Sequence, residues 1–376
     1  MDITPYLKLM ADREASDLFF YTGAPVCVKI QGLVRPIGNK ALGVQGVREI
    51  AYSIMNDEQV REFERELELN FAISASGLGR FRANVFRQRG EVSMVIRYIR
   101  GDIPTLDELR LPAVLRNLAQ EKRGLVLVVG STGSGKSTTL ASMVDHRNTS
   151  GSGHILTIED PIEFIHRHKK CVVGQREVGI DTHSYANALK NALREAPDVI
   201  LIGEVRDSET MRYALNYAET GHLCLSTLHA NNAYGALERI VNFFPEGVRD
   251  QLLLDLSLNL KAIVSQRLVP GLDGGRVPAV EVLLNTPYVA ELIQRGKIET
   301  VKDAMSQGSE SGMKTFDQAL YELWQAGSIS QDEAIGHADS RNNVGLQIRL
   351  SQGGQGGGAS RSSEVRLGGP LDDVLP

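Results

Sequence analysis

The sequence predicts an α/β protein built around a largely parallel sheet, with a smaller mixed α/β region before it and helices after it. Three observations carry that prediction. Between about residues 115 and 270, short apolar runs alternate with helical patterns, as in a sheet covered on both faces. The first run leads into Gly130-Ser131-Thr132-Gly133-Ser134-Gly135-Lys136-Ser137, the strand, G-x-x-x-x-G-K-[ST], helix order of a P-loop. Two later runs end in acidic residues, and the strand C-terminal ends of a parallel sheet border its ligand crevice.

Taken in order, residues 17–21 and 26–30 read as strands, and Gln31-Gly32 as a tight turn into a third at 33–37. Residues 46–67 read as helical, with Ile50, Ile54, Val60, Phe63 and Leu67 on an apolar face interrupted near Asn56-Asp57. Strands return at 71–74, 80–86 and 92–99. Gly101-Asp102-Ile103-Pro104-Thr105 carries turn residues and reads as a linker. The expected organisation is a first domain at 1–100, a linker at 101–114 and a nucleotide-binding core at 115–284.

Within the core, strands are expected at 125–129, 155–158, 199–202 and 223–227, and a helix opens at 138–144. Tyr185, Leu189 and Leu193 recur at helical spacing and predict a helix over 184–194. The stretch 252–264 points both ways. Leu252, Leu254, Leu256, Leu258 and Leu260 alternate like a strand, while Leu253 and Ala262-Ile263-Val264 suit a buried helix, which its length favours. Small helices are expected at 285–350, and the Gly/Ser-rich tail at 351–376 is expected to be disordered.

Composition excludes some classes. With 41 basic and 46 acidic residues the net charge is −5, which gives no support for bulk nucleic-acid binding. Cys27, Cys171 and Cys224 stand far apart, without metal-ribbon spacing, and fit a reducing compartment. The start lacks the basic and apolar pattern of a signal peptide, and no apolar stretch is long enough to span a bilayer. A soluble cytoplasmic protein without membrane insertion is expected.

The P-loop residues carry the chemistry of polyphosphate binding. Glycines at 130, 133 and 135 let successive backbone N–H groups point inward, and the following helix N-terminus adds positive potential. Ser131, Thr132, Gly133, Ser134, Gly135, Lys136, Ser137 and Thr138 form the expected nucleotide-binding set. Lys136 can reach the β and γ phosphates, and the Ser137 hydroxyl can ligate Mg²⁺. Glu159, Asp160 and Glu163 follow a strand and can position Mg²⁺ or orient the attacking water; the alternative is a solvated acidic turn. Glu204 closes the strand at 199–202, where a carboxylate can polarise water for in-line attack. His229 closes another strand and can read the γ phosphate or a neighbouring subunit, whereas His222 follows Gly221, where a histidine often caps a helix. Arg80, Arg82 and Arg97 alternate with apolar residues along strands, so they form either a solvated sheet face or a source of transition-state charge.

In this order the four elements resemble the secretion ATPase superfamily, and within it the PilT/PilU-type twitching-motility ATPases of type IV pili, over about residues 3–350. The resemblance implies a PAS-like N-terminal domain, a RecA-like ATPase core and a small helical C-terminal region, working as a hexameric ring. It implies ATP and Mg²⁺ as cofactors, Glu204 as catalytic carboxylate with Glu163 as helper, and Lys136 and Ser137 on phosphate and metal. The Asp box spans 158–163 and the His box 221–229, and Arg82 and Arg97 would approach the nucleotide from the first domain. It further implies pilus retraction at the cytoplasmic face of the inner membrane, with a PilT-like ATPase and an inner-membrane pilus platform protein as partners.

Two departures side with the accessory type. Ala196 stands where PilT-type sequences carry aspartate before the strand at 199–202, and Val289-Ala290-Glu291-Leu292-Ile293-Gln294-Arg295-Gly296 stands where they carry a C-terminal motif tied to retraction. Asn242-Phe243-Phe244-Pro245 is similar to the accessory type as well. The alternatives are a stand-alone retraction motor, a pilus-extension or type II secretion motor, which would be expected to carry a tetracysteine module, a nucleic-acid motor on the same core, and a nucleotide-holding adaptor that does not hydrolyse.

Overall fold

The computed structural model describes residues 2–30, 32–99, 101–308 and 312–354. The first helix, α1 (Thr4–Asp12), leads into a run of short strands, β1 (Asp17–Phe20), β2 (Cys27–Ile30) and β3 (Leu33–Pro36). Gln31 of the expected turn lies outside the described residues. Helices α2 (Val44–Ser53) and α3 (Asp57–Glu66) then precede β4 (Glu68–Ala75), β5 (Gly79–Gln88) and β6 (Glu91–Ile99). The break expected near Asn56 is a true boundary. Asn56 Oδ1 accepts from the Gln59 N–H and Gln59 Oε1 from the Asn56 N–H, each at 2.9 Å, closing a capping box at the start of α3.

The six strands pair in the order β3-β2-β1-β6-β5-β4, antiparallel throughout. Alternation along β5 sends Phe81, Ala83 and Val85 into a core shared with Met10, Phe20, Ile50 and Phe63. The opposite parity puts Arg80, Arg82 and Asn84 on the other face, and register sets Arg82 directly across from Arg97 and Arg97 across from Asp17.

After residues 101–105, which carry no regular structure, α4 (Val114–Ala119) leads into β7 (Gly124–Val129), α5 (Lys136–Ser150), β8 (Gly153–Glu159) and β9 (Cys171–Glu177). Then come α6 (Tyr185–Ala192), β10 (Val199–Ile202), α7 (Ser208–Glu219), β11 (Leu223–Leu228), α8 (Ala233–Asn242), α9 (Arg249–Asn259), β12 (Leu260–Pro270) and β13 (Arg276–Leu284). The sheet order is β13-β12-β7-β11-β10-β8-β9, with every pairing from β12 to β9 parallel. All of β7, β10 and β11 is buried, because helices cover both faces. Leu125, Leu127 and Ile200 pack on one side with α6 to α9, and Val126, Val128 and Leu201 on the other with α4 and α5.

One expectation is corrected. The helix expected over 252–264 ends at Asn259, and Ala262-Ile263-Val264 belongs to β12, paired with Val126, Leu127 and Val128 of β7. A parallel strand buried on both faces has no polar alternation, so its apolar run looked helical. Strands β9 and β13 were not expected at all.

By its contacts the chain forms two compact units. One comprises 1–268 with 280–315, including α10 (Pro287–Gln294) and α11 (Val301–Gln307). The other takes 269–279 with the chain from Phe316 on: α12 (Phe316–Gln325), α13 (Gln331–Gly336) and α14 (Arg341–Gly354). It has its own core of Val269, Val277, Phe316, Leu320, Val344 and Ile348. Residues 351–354, expected to be disordered, are the last turn of α14, and the rest of the tail, 355–376, lies outside the described residues. No helix among the described residues is long and apolar enough to cross a membrane.

Candidate nucleotide site

The site begins where β7 stops. Gly130 adopts φ 155°, Gly133 78° and Gly135 89°. A Cβ at Gly130 would stand 2.5 Å from the Gln266 carbonyl oxygen, and one at Gly135 2.7 Å from Gln266 Nε2. At Gly130 the loop runs so close to the β12 backbone that only glycine fits, and at Gly135 the positive φ favours glycine. Gln266 also accepts from Thr139 Oγ1 at 2.7 Å, which braces the first turn of α5 against β12.

Lys136 is the first residue of α5 and is only 9% exposed. Its Nζ donates to the carbonyl oxygens of Gly130 and Ser131, both at 2.9 Å. Burial pulls its pKa down, and the nearby Glu204 and Glu163 carboxylates oppose that pull. Ser134 Oγ is buried without a hydrogen-bond partner.

Parallel register aligns Ile158, Ile202 and Ser226, so β8, β10 and β11 end on the same side. Their C-terminal residues therefore reach one cleft of about 260 Å³. Thr132, Gly133, Lys136 and Ser137 form its P-loop wall, and Glu159 at the end of β8 lines it with Asp160 and Glu163 of the segment that follows. Glu204 and Arg206 line it after β10, and His229 after β11. Glu204 Oε2 accepts from Arg206 Nε at 2.7 Å, and its Oε1 lies 3.3 Å from His229 Nε2. Arg206 also lies 3.7 Å from Asp160 Oδ2.

Glu159 Oε1 accepts from Thr157 Oγ1 at 2.7 Å and from Gln175 Nε2 at 3.3 Å. Burial pushes its carboxyl up to about 6 against those hydrogen bonds, with Glu163 adding to the rise. Ser137, Glu159, Asp160 and Glu204 bring oxygen donors to the same cleft, a donor set that suits magnesium. Among the described residues no group of three or more His, Cys, Asp or Glu stands ready to hold a metal alone. Magnesium commonly takes one or two carboxylates and completes its shell with phosphate and water, so the two observations agree.

The remaining expected residues fall elsewhere. Ser131, Ser134, Gly135 and Thr138 shape the P-loop and the start of α5 without lining the cleft. Arg82 donates to the Ile162 carbonyl at 3.2 Å and pairs with Glu177 at 3.2 Å, while Arg97 pairs with Asp17 at 2.8 Å. Neither guanidinium lines the cleft in this structure. His222 precedes β11, at the opposite end of the strand from His229. Its Nδ1 lies 3.2 Å from Thr220 Oγ1 and from the Tyr217 carbonyl, so it caps α7.

Sequence reasoning gave no site role to five residues, the first of them Arg206, which pairs with Glu204 and Asp160. His166 and Tyr185 line the cleft, and Gln175 and Gln266 brace its loops. A Cβ at Gly203 would stand 2.8 Å from the Tyr185 hydroxyl, so this glycine makes room for the ring. Of these last four, His166, three residues past the Asp box, was the one visible signal. Gln266 and Gln175 become legible only once β12 and β9 are known to be strands.

The family model described as "Type II/IV secretion system protein" matches residues 93–315. The chain belongs to this family. It is 54% identical over 351 residues to the type IV pilus ATPase PilU of Pseudomonas aeruginosa, spanning 93% of this chain and 92% of that protein. It is 44% identical over 334 residues to the retraction ATPase PilT of the same organism, spanning 89% and 97%. A crystal structure of the pilus retraction motor PilT with bound ADP superposes with a TM-score of 0.86 at 41% identity, covering 92% of this chain and 99% of that one. The ATPase DotB of Legionella pneumophila gives a TM-score of 0.73 at 26% identity, covering 93% and 95%. These likenesses make the chain a PilT/PilU-type P-loop ATPase.

Burial sets a pH test in this cleft. His166 is 8% exposed, and burial pushes its imidazole down to about 4 from 6.5. The unfolded chain takes the proton first, so stability is lost as pH falls from about 6.5 toward 4, by about 3 kcal/mol in all. NMR titration should find the ring neutral at pH 5.5, and His166→Gln should flatten that part of the stability profile. A ring that titrates near 6.5 would contradict the burial.

Proposed function

We propose that this chain binds ATP with magnesium and hydrolyses it as one subunit of a hexameric ring that assists type IV pilus retraction, in the accessory role of PilU. The observation that carries the reading is the joint presence of buried Lys136 and the strand-end carboxylate Glu204 in one cleft, in a chain 54% identical to a pilus ATPase. The ADP bound in the similar PilT structure supports the nucleotide. The ring, a PilT-like partner, the inner-membrane platform protein and a cytoplasmic position at the pilus base are part of the same reading. So is the hinge at 101–105 between the first domain and the core.

The chain's own groups give the chemistry. Phosphate oxygens take over the ammonium of Lys136 from the Gly130 and Ser131 carbonyls, and the P-loop N–H groups receive the rest of the polyphosphate. Glu204 gives up contacts to Arg206 and His229 and accepts a proton from water as the water oxygen attacks the γ phosphorus. The bond from the γ phosphorus to the β–γ bridging oxygen breaks, and its electron pair leaves with ADP. Glu163 helps to orient the water, and His229 senses the γ phosphate. Ser137 with Glu159 or Asp160 would hold magnesium, which would supply charge neutralisation to the polyphosphate.

Glu204→Gln should keep nucleotide affinity while lowering kcat by about a hundredfold or more, since only the proton acceptor is lost. Fluorescent-nucleotide binding and phosphate release measured together check this; equal loss of both would assign Glu204 a structural role. Arg82 and Arg97 supply transition-state charge when the first domain closes. Arg82→Ala or Arg97→Ala should lower turnover by about a thousandfold with the fold retained. Activity regained on mixing an arginine variant with Lys136→Ala would put the contact across a subunit boundary, and full activity in both arginine variants would return them to a solvated face. For the accessory role, a strain in which this gene is the sole retraction ATPase should fail to retract pili. Normal retraction there would make the protein a stand-alone motor.

A further inference from the structure

Gln175 lies outside the cleft wall, yet it touches the segment that carries the Asp-box carboxylates at three points. Its Oε1 accepts the His166 N–H at 2.8 Å, while Nε2 donates to the Phe164 carbonyl at 2.9 Å and to Glu159 Oε1 at 3.3 Å. The two backbone contacts decide which way the amide faces. Turned over, it would set N–H against N–H and oxygen against oxygen. The second Nε2 hydrogen is therefore committed to Glu159, on the same oxygen that Thr157 Oγ1 bonds at 2.7 Å. Two donors on one oxygen fix which edge of the carboxylate the cleft receives.

We infer that Gln175 is a positioning residue for hydrolysis that acts through Glu159: its two backbone bonds hold the amide, and the remaining Nε2 hydrogen orients the Glu159 carboxylate. No other side chain of its size fits the part. A glutamate keeps the acceptor but loses both donors, and leucine loses all three contacts. Bonds from outside a reaction centre that orient its inner groups commonly matter about tenfold to a hundredfold for activity. The inference rests on the ATPase reading given above.

The test is a double-mutant cycle on the full chain, with ATP turnover as the readout and single-turnover measurement where steady state is too slow. Gln175→Leu and Gln175→Glu should each lower kcat by about tenfold or more, with the KM for ATP within about twofold of wild type. In a Glu159→Gln background, Gln175→Leu should change kcat by less than about twofold, because the group it acts through is already lost. A merely structural role would repeat the full loss in both backgrounds, and that result would overturn the inference. Wild-type kcat in Gln175→Glu would overturn it too, and this variant carries the test if Gln175→Leu does not fold. Absence of turnover in the wild type would remove the ATPase reading itself, and the inference with it.

Discussion

The rest of the site depends on one buried ammonium. Lys136 sits at the foot of α5 with its charge taken up by two backbone carbonyls, and an ammonium out of water is costly unless such partners surround it. Those carbonyls are in reach only because the chain turns through glycine conformations at 130, 133 and 135. That path in turn needs β12 close behind it, where Gln266 leaves no room for a Cβ. Sheet order, glycine positions and the Thr139–Gln266 bond thus serve one end, a cation held where a polyphosphate can exchange for carbonyl oxygens.

Charge balance in the cleft adds a second condition. Glu159, Asp160, Glu163 and Glu204 face Lys136 and Arg206, an acidic excess that repels a bare polyanion. On the proposed reading, a divalent cation carried in with the phosphate chain would cancel that excess. The acidic residues are held in place before it arrives. Arg206 grips Glu204 and Asp160 together, and Thr157 and Gln175 grip Glu159.

What the sequence made legible follows from range. The P-loop, Glu204 just past β10 and the carboxylates at and after the end of β8 are local patterns, each set by a few neighbouring residues, and they fall where the spacing said. Strand β12 was misread because burial on both faces erases the alternation that marks a strand. Edge strand β9 escaped because Gln175 and Glu177 break its apolar run, although those polar residues are the ones in contact with the Asp box and with Arg82. Gln266 and Thr139 are 127 positions apart, and no local pattern announces such a pair. The arginines of β5 and β6 were legible as a face, since parity and register fixed that much. Their partners belong to other elements and were not.

The Arg82–Glu177 pair shows how the first domain meets the core and how little that contact holds. Both side chains are taken from water, at 17% and 5% exposure, and a single nitrogen–oxygen approach of 3.2 Å joins them. Glu177 Oε2 is buried without a partner, and Arg97 across the strand adds like charge to Arg82. A buried pair returns its desolvation cost only when its geometry is good and its remaining lone pairs are filled, and here neither condition is met. The contact therefore contributes little to binding the six-stranded sheet to the core. Arg82 also bonds the Ile162 carbonyl, inside the Asp box and next to Glu163. Arg82 thus reaches the segment that carries the cleft carboxylates by single approaches, whereas a bidentate, fully satisfied pair would hold it more firmly.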